Sequence, residues 1–293
     1  ESGSAVNVQS GATVTIIGGE FSGGKRNTLA SSGTGVLTLK GGKYHQGYPE
    51  QGDQFKQYCA EGYMTVKDGD WYEVIEAAAK IVETGVLYAT FDEAYKAAKT
   101  GETIELFRTV VVDGMVVNYN TKNITVKAEF GDVAFRVKAY MATFGGMTIK
   151  SNDYCIIVGT ADGSTNPTVD INGGTFEGAT TAISVTKGLV RINDGTFKVE
   201  PYEGSYEYTI NCIDANYNAT PRLADVSIKG GKFYNFNPQN NAAEGPGTNF
   251  VTGGYATAKD ADNYWHVGAI VAKIGETPYL SLADAVEAAQ DGE

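Results

Sequence analysis

Three groups of residues in this 293-residue chain carry side chains suited to chemistry. The first is Asp170, Arg191 and Asp194. Carboxylates beside a guanidinium suit polysaccharide cleavage, but hydrolysis needs two carboxylates about 5–9.5 Å apart across a groove. The plainer reading is a solvated ion pair worth under about 1 kcal/mol, with Asp194 in a turn. No catalytic residue is assigned on this basis. The second group is Asp68-Gly69-Asp70 and Asp260-Ala261-Asp262. Calcium wants clustered oxygens, yet neither run matches the usual calcium loop. Asp and Gly are also turn formers, so hairpin turns are expected, with calcium as the lesser alternative. The third group is aromatic. It comprises Tyr44, Tyr48, Phe55 and Tyr58, then Tyr202, Tyr206, Tyr208 and Tyr217, then Tyr234, Phe236, Phe250 and Tyr255. Such rings either stack on sugars or anchor long loops to a core. Anchoring is the broader expectation, and Tyr202, Tyr206, Tyr234 and Phe236 are the candidates to face a glycan.

Other chemistries are poorly supplied. His45 and His266 are the two histidines, which weighs against histidine-built zinc sites and Ser-His-Asp triads. Cys59, Cys155 and Cys212 are odd in number and far apart, as expected of buried small hydrophobes. Lys and Arg total 23 against 35 Asp and Glu, a net charge of −12 that disfavours nucleic acid and anionic membranes. No run of eighteen apolar residues exists to span a bilayer. No cofactor is expected.

The elements that must position these residues are repetitive. Gly is 37 residues and Pro 7, with 18 Tyr and 12 Phe, which reads as many short strands joined by tight turns. One phrase recurs: an alternating strand, two turn residues, one variable residue, then Phe or Tyr. It occurs at 14–21, 37–44, 169–176, 190–197 and 226–233, with a degenerate copy around Met147-Thr148-Ile149-Lys150. Alternation buries one face of each strand, and the turn needs residues tolerant of positive φ. Spacings of about 21 to 36 residues suit one coil of a solenoid. The expected fold is therefore all-β, a parallel β-helix with like residues stacked about 4.8 Å apart.

The register makes specific claims. Phe176, Phe197 and Phe233 should form one inner column, and Ile171, Ile192 and Ile228 another. Thr148, Asp170, Arg191 and Ser227 should form an outer row, with Lys150, Asn172, Asn193 and Lys229 beside it. Tyr154–Val158, Ala182–Val185 and 208–213 should build a second sheet.

A longer period lies on top. Residues 90–102, TFDEAYKAAKTGE, match 281–293, SLADAVEAAQDGE, at five of thirteen positions and an offset of 191. Each copy reads as a short helix with a capping box, Thr90 with Glu93 and Ser281 with Asp284. Phe91, Ala94, Tyr95 and Ala98 make its apolar face. The chain accordingly divides into 1–82, the later part of a first module; 83–274, a complete module; and 275–293, the opening of a third. In the second, a cap helix spans about 90–100, coils about 103–255 and closing strands about 256–274.

The Ala-Ala helix followed by Gly101-Glu102-Thr103-Ile104 is similar to the opening of pectin-lyase-like right-handed parallel β-helices. Together with the Gly-Gly-x-Phe coils, Gly62-Tyr63 and Gly254-Tyr255, it resembles tandem modules of large secreted, adhesin-like surface proteins of anaerobic gut-type bacteria. The resemblance implies right-handed solenoid modules, each opened by a capping helix, in an extracellular, cell-surface protein. It implies a structural or adhesive role with glycans or surface proteins as ligands. The alternatives are a carbohydrate-active β-helix lyase or hydrolase and a phage tail or spike protein. The wider superfamily's enzymes use clustered acidic calcium ligands and an Arg on adjacent coils, and no such motif is found here. Partners expected are adjacent modules of the same chain and, through an open coil end and the apolar face of the last helix, head-to-tail copies.

Overall fold

The structure is a computed structural model describing residues 3–23, 27–47, 52–160, 164–212 and 217–290. Tyr48, Ile213 and the end of the second cap motif at 291–293 lie outside the described residues. The chain is all-β, with a parallel β-solenoid of about nine turns. It divides into two compact units, 1–97 and 98–293.

In the second unit each coil contributes strands to three parallel ladders. The ladder before the glycine corner contains Val117–Tyr119, Met141–Phe144, the first part of Thr168–Gly178, the first part of Gly188–Val199, and Ala224–Ile228. The ladder after the corner contains Thr103–Leu106, Thr125–Ala128, Thr148–Ser151, the later parts of the same two long strands, and Gly231–Tyr234. The third runs through Val110–Val112, Phe135–Val137, Tyr154–Val158, Thr181–Val185 and Ile210–Cys212. This third ladder is the second sheet expected from the sequence.

The inner columns form as expected. Phe176, Phe197 and Phe233 are fully buried and stack face to face, with centroids 5.0 and 4.7 Å apart and ring planes within 7°. Ile171, Ile192 and Ile228 are successive partners. The corner explains the Gly-Gly phrase. A Cβ at Gly230 would lie 2.1 Å from the Asn193 carbonyl of the coil beneath, and Gly231 has φ +103, a region that favours glycine.

On the outside, Arg191 Nε and Nη2 donate to the two Asp170 carboxylate oxygens at 2.5 and 2.7 Å, and Asn193 Nδ2 donates to Asn172 Oδ1 at 2.8 Å. Two expected positions need correction. Thr143, not Thr148, aligns with Asp170. Thr148 and Lys150 lie past the corner, opposite Thr175 and Glu177. The degenerate copy turns at Gly145-Gly146, so Ile149 joins the Phe176 column and Phe144 the Ile171 column. Cys212 aligns with Val185, which aligns with Val158, whereas Cys155 sits three residues ahead of Val158.

The stack ends in an antiparallel hairpin. Tyr264–Ala269 pairs antiparallel with Gly231–Tyr234 on one side and with Tyr255–Lys259 on the other. The first unit repeats this design. Its parallel pairs stack Val14 on Leu37, Ile16 on Leu39 and Phe21 on Tyr44. Trp71–Glu76 then pairs antiparallel with Lys43–His45 and Tyr63–Asp68. In both units a two-stranded antiparallel pair and a seven-residue helix follow: Ala79–Ile81 with Val86–Tyr88 and α1, Phe91–Ala97; then Ala272–Ile274 with Thr277–Tyr279 and α2, Leu282–Ala288.

The helix starts where its caps dictate. Thr90 and Glu93 exchange both capping-box bonds at 3.2 Å, and Ser281 Oγ accepts from Asp284 N–H at 3.1 Å. Phe91, Ala94 and Tyr95 of α1 are buried, whereas Leu282 and Val286 of α2 are 63% and 67% exposed.

Truncating Phe197 to Ala removes the middle ring of the column and is expected to cost about 3–5 kcal/mol in denaturant unfolding. Arg191→Ala, on the 45%-exposed side of its ion pair, should cost under about 1 kcal/mol. Equal losses would contradict the assigned inside and outside faces.

Candidate functional site

Past the glycine corner the outward side chains form two rows. Thr103, Thr125, Thr148, Thr175 and Thr196 are successive partners, as are Glu105, Lys127, Lys150, Glu177 and Lys198. At the far end of these strands the charged row borders a groove of about 520 Å³ that also takes in Glu129 and Glu200. Lys150 Nζ meets Glu177 Oε2 at 2.8 Å. Lys198 Nζ lies 5.3 Å from the centroid of the Tyr234 ring. Glu129 and Glu200 follow partners three coils apart, about 14 Å at the normal strand spacing. That exceeds the span of a hydrolytic carboxylate pair.

Three segments line the groove and then turn into the third ladder, bordering a second, smaller pocket. Asn152 leads to Tyr154, Ala179 to Thr180 and Thr181, and Glu200 to Tyr202. With Tyr208 and Asn211 these residues line about 210 Å³. Tyr202 and Tyr208 are 46% and 39% exposed and meet edge to face at 5.7 Å. Burial raises the Tyr154 phenol above its ordinary pKa, with Asp153 adding to the effect, so it is neutral near pH 7.

The loop carrying these tyrosines is tied down. Tyr202 and Ser205 exchange backbone hydrogen bonds at 2.9 Å each, and Thr209 Oγ1 donates to Tyr206 O at 2.8 Å. Glu207 Oε2 accepts Ala242 N–H at 2.7 Å, and Glu244 Oε1 accepts Cys212 N–H at 2.6 Å. Burial raises the Glu244 carboxyl above its usual range.

The four glycan-facing candidates separate. Tyr202 belongs to the small pocket. Tyr206 packs edge to face on Tyr234 at 5.7 Å, and the Tyr234 and Tyr264 rings meet tilted at 5.3 Å, beside the Lys198 end of the groove. Phe236 is 1% exposed between Phe233 and Phe250, so it belongs to the core and faces no ligand. Phe250, Tyr44 and Phe55 are likewise buried anchors. Tyr217 packs on Phe250 with the Arg222 guanidinium 4.0 Å from its ring centroid. Tyr154 and Asn211 went unnoticed as site residues, because no local pattern marks them. Glu177 and Lys198 could be aligned from the sequence, since each follows the corner Phe by one position, whereas Lys150 could not.

One aromatic arrangement recurs in both units. His45 and Trp71 are cross-strand partners on the first closing hairpin, edge to face at 5.3 Å. Tyr234 and Tyr264 hold the same place on the second.

The two Asp runs are hairpin turns. Asp68 pairs with Trp71 across the first, and Asp70 Oδ1 accepts from Gln46 Nε2 at 3.2 Å. In the second, Asp260 Oδ1 accepts the N–H groups of Asp262 and Tyr264, and Oδ2 meets His266 Nε2 at 2.6 Å. The His266 contact, helped by the backbone bonds, holds the Asp260 carboxyl below its usual pKa. Among the described residues no three His, Cys, Asp or Glu side chains converge as metal ligands, and no helix is long and apolar enough to cross a membrane. Comparison of the chain with protein-family models, curated proteins and solved structures finds no match.

Thiol reactivity tests this picture. Cys155 and Cys212 are buried, which pushes both thiols up, and burial followed by Asp53 raises Cys59 to about 11. At pH 8 a disulfide-exchange reagent should label native Cys59 roughly 100-fold more slowly than a free thiol of pKa about 8.5, and the other two only on unfolding. Rapid labelling of all three would contradict the burial described.

Proposed function

We propose that this chain is a non-catalytic structural and adhesive module of an extracellular, cell-surface protein, built for tandem repetition and presenting a glycan-binding face. The observation that carries the reading is the recurrence of the closing cassette: hairpin, antiparallel pair and capped helix follow the coils in both units, with an aromatic pair at the same cross-strand place. A catalytic cleft has no reason to recur in this way, whereas an array of rods has. The coils supply stiffness, and the groove with its flanking tyrosines supplies hydroxyl-seeking and ring-stacking groups. A non-catalytic role is further supported at Asp170 and Arg191, which spend their charged groups on one another. The resemblance to surface modules of pectin-lyase-like fold agrees with this reading.

Two experiments test it. Incubation with pectin, alginate and host-type glycans should release no unsaturated sugars or reducing ends above a blank, while a glycan array shows retained ligands. Turnover abolished by Asp170→Asn or Arg191→Ala would establish the enzymatic alternative, and a silent array would remove the adhesive half.

The exposed apolar residues Leu282 and Val286 of α2 offer a surface for association with another copy of the chain. Sedimentation velocity should show concentration-dependent association of the chain that is absent from a version ending at Lys273. Monomers in both would exclude association through this helix.

A further inference from the structure

We infer that the pocket formed by Tyr154, Tyr202 and Tyr208 is a subsite for one neutral hexopyranose ring of a glycan whose continuation runs along the charged groove. The assignment rests on the glycan-binding reading above and names the sugar class and the residues that select it.

Four observations carry it. The first is size: about 210 Å³ equals the liquid volume of about seven waters, the scale of one sugar ring and below that of an ordinary drug-sized ligand. The second is the combination of side chains. Three phenol rings supply apolar faces for the C–H side of a pyranose, while their hydroxyls and the Asn211 amide supply donors and acceptors for its hydroxyls. The Asn211 amide and the hydroxyls of Tyr154, Tyr202 and Tyr208 make no hydrogen bonds among the described residues, so this capacity is unspent. The third is charge. All six lining residues are neutral. Asp153, Glu203 and Glu207 each adjoin a lining tyrosine in sequence; Asp153 accepts Thr180 Oγ1–H at 3.0 Å and Glu207 accepts Ala242 N–H at 2.7 Å. A uronic acid would meet no cation inside the pocket; the lysines lie in the adjoining groove. The fourth is preorganisation. The reciprocal Tyr202–Ser205 bonds fix one wall, and the Thr209 carbonyl, accepting from the N–H groups of Ala182 and Ile183, fixes the segment bearing Tyr208. A site built in advance loses little ordering entropy when a ligand enters.

The strand ladders also set the direction of the bound chain. Asn152, Ala179 and Glu200 line the groove, and the residues one or two positions further along line the pocket. A glycan seated by one ring in the pocket therefore continues across the edge of the solenoid towards Lys150 and Glu177.

Saturation-transfer NMR with methyl glucoside, methyl galactoside and methyl mannoside, alongside free glucuronate, tests the assignment on the intact chain. At least one neutral glycoside should bind with a dissociation constant on the order of millimolar, as suits a small ligand in a small site. Tyr202→Ala and Tyr208→Ala should each weaken it about tenfold or more. Both residues are well exposed, so their loss should leave the thermal melt unchanged. Tyr154→Phe keeps the ring and should weaken binding less. Tyr140→Ala, at an exposed ring that lines neither the pocket nor the groove, should leave it unchanged. Tighter binding of glucuronate than of its neutral parent would overturn the sugar class. Loss of binding in Tyr234→Ala with retention in the Tyr202→Ala, Tyr208→Ala double variant would overturn the pocket and leave the glycan reading standing. No response from any sugar, here and on the array, would remove both.

Discussion

At two of the corners, one in each unit, one coil's carbonyl all but touches the next coil's backbone. A Cβ at Gly230 would come within 2.1 Å of Asn193 O, and one at Gly41 within 2.3 Å of Ile17 O. Only hydrogen fits there, so Gly41 and Gly230 let their coils settle directly onto the ones beneath. Once the corner is fixed, the strands on both sides are in register. Since side chains alternate with a period of two, a slip of one residue would turn every inward column to solvent. The corner therefore sets the phenylalanine column, the isoleucine column and the outward rows together.

A parallel stack carries its own hazard, because the last coil offers unpaired N–H and C=O groups to any passing strand. Both units resolve it in the same way. An antiparallel strand, Trp71–Glu76 in one and Tyr264–Ala269 in the other, pairs with the last parallel strand and is itself paired on its far side. Reversing direction here ends the propagation of identical coils. It also forces aromatic residues into cross-strand contact at the surface, so the device that closes the stack creates the recurring His45–Trp71 and Tyr234–Tyr264 pairs.

The surface is freer than the core, and function is written there. Beyond the corner, the first outward position holds threonine through five coils, while the next alternates among Glu and Lys. The loops between coils vary in length because only their ends must meet the ladders. One such loop, tethered through Glu207 and Glu244, brings tyrosines against Tyr154. Variable loops on a rigid stack are a natural place for binding residues.

Much of the fold was legible because its determinants are local: strand alternation, a two-residue corner and a capping box each show within eight residues. Phe176, Phe197 and Phe233 could be aligned from the phrase alone, as could Asp170 with Arg191. Thr148 and Lys150 could not, because Met141–Phe144 and Thr148–Ser151 both alternate and only the neighbouring coils decide which precedes the corner. Phe236 looked like its tyrosine neighbours in composition, and only packing placed it inside the core. The pocket was least legible of all. Tyr154, Thr181 and Asn211 lie on successive coils, separated by loops of unequal length, so their meeting depends on how many residues each coil spends before returning to the ladder. The sequence by itself determined the columns, since those follow from short-range periodicity and backbone sterics. The tertiary structure alone decided which surface residues share a site, since that depends on coil stacking and loop path, which no local pattern encodes.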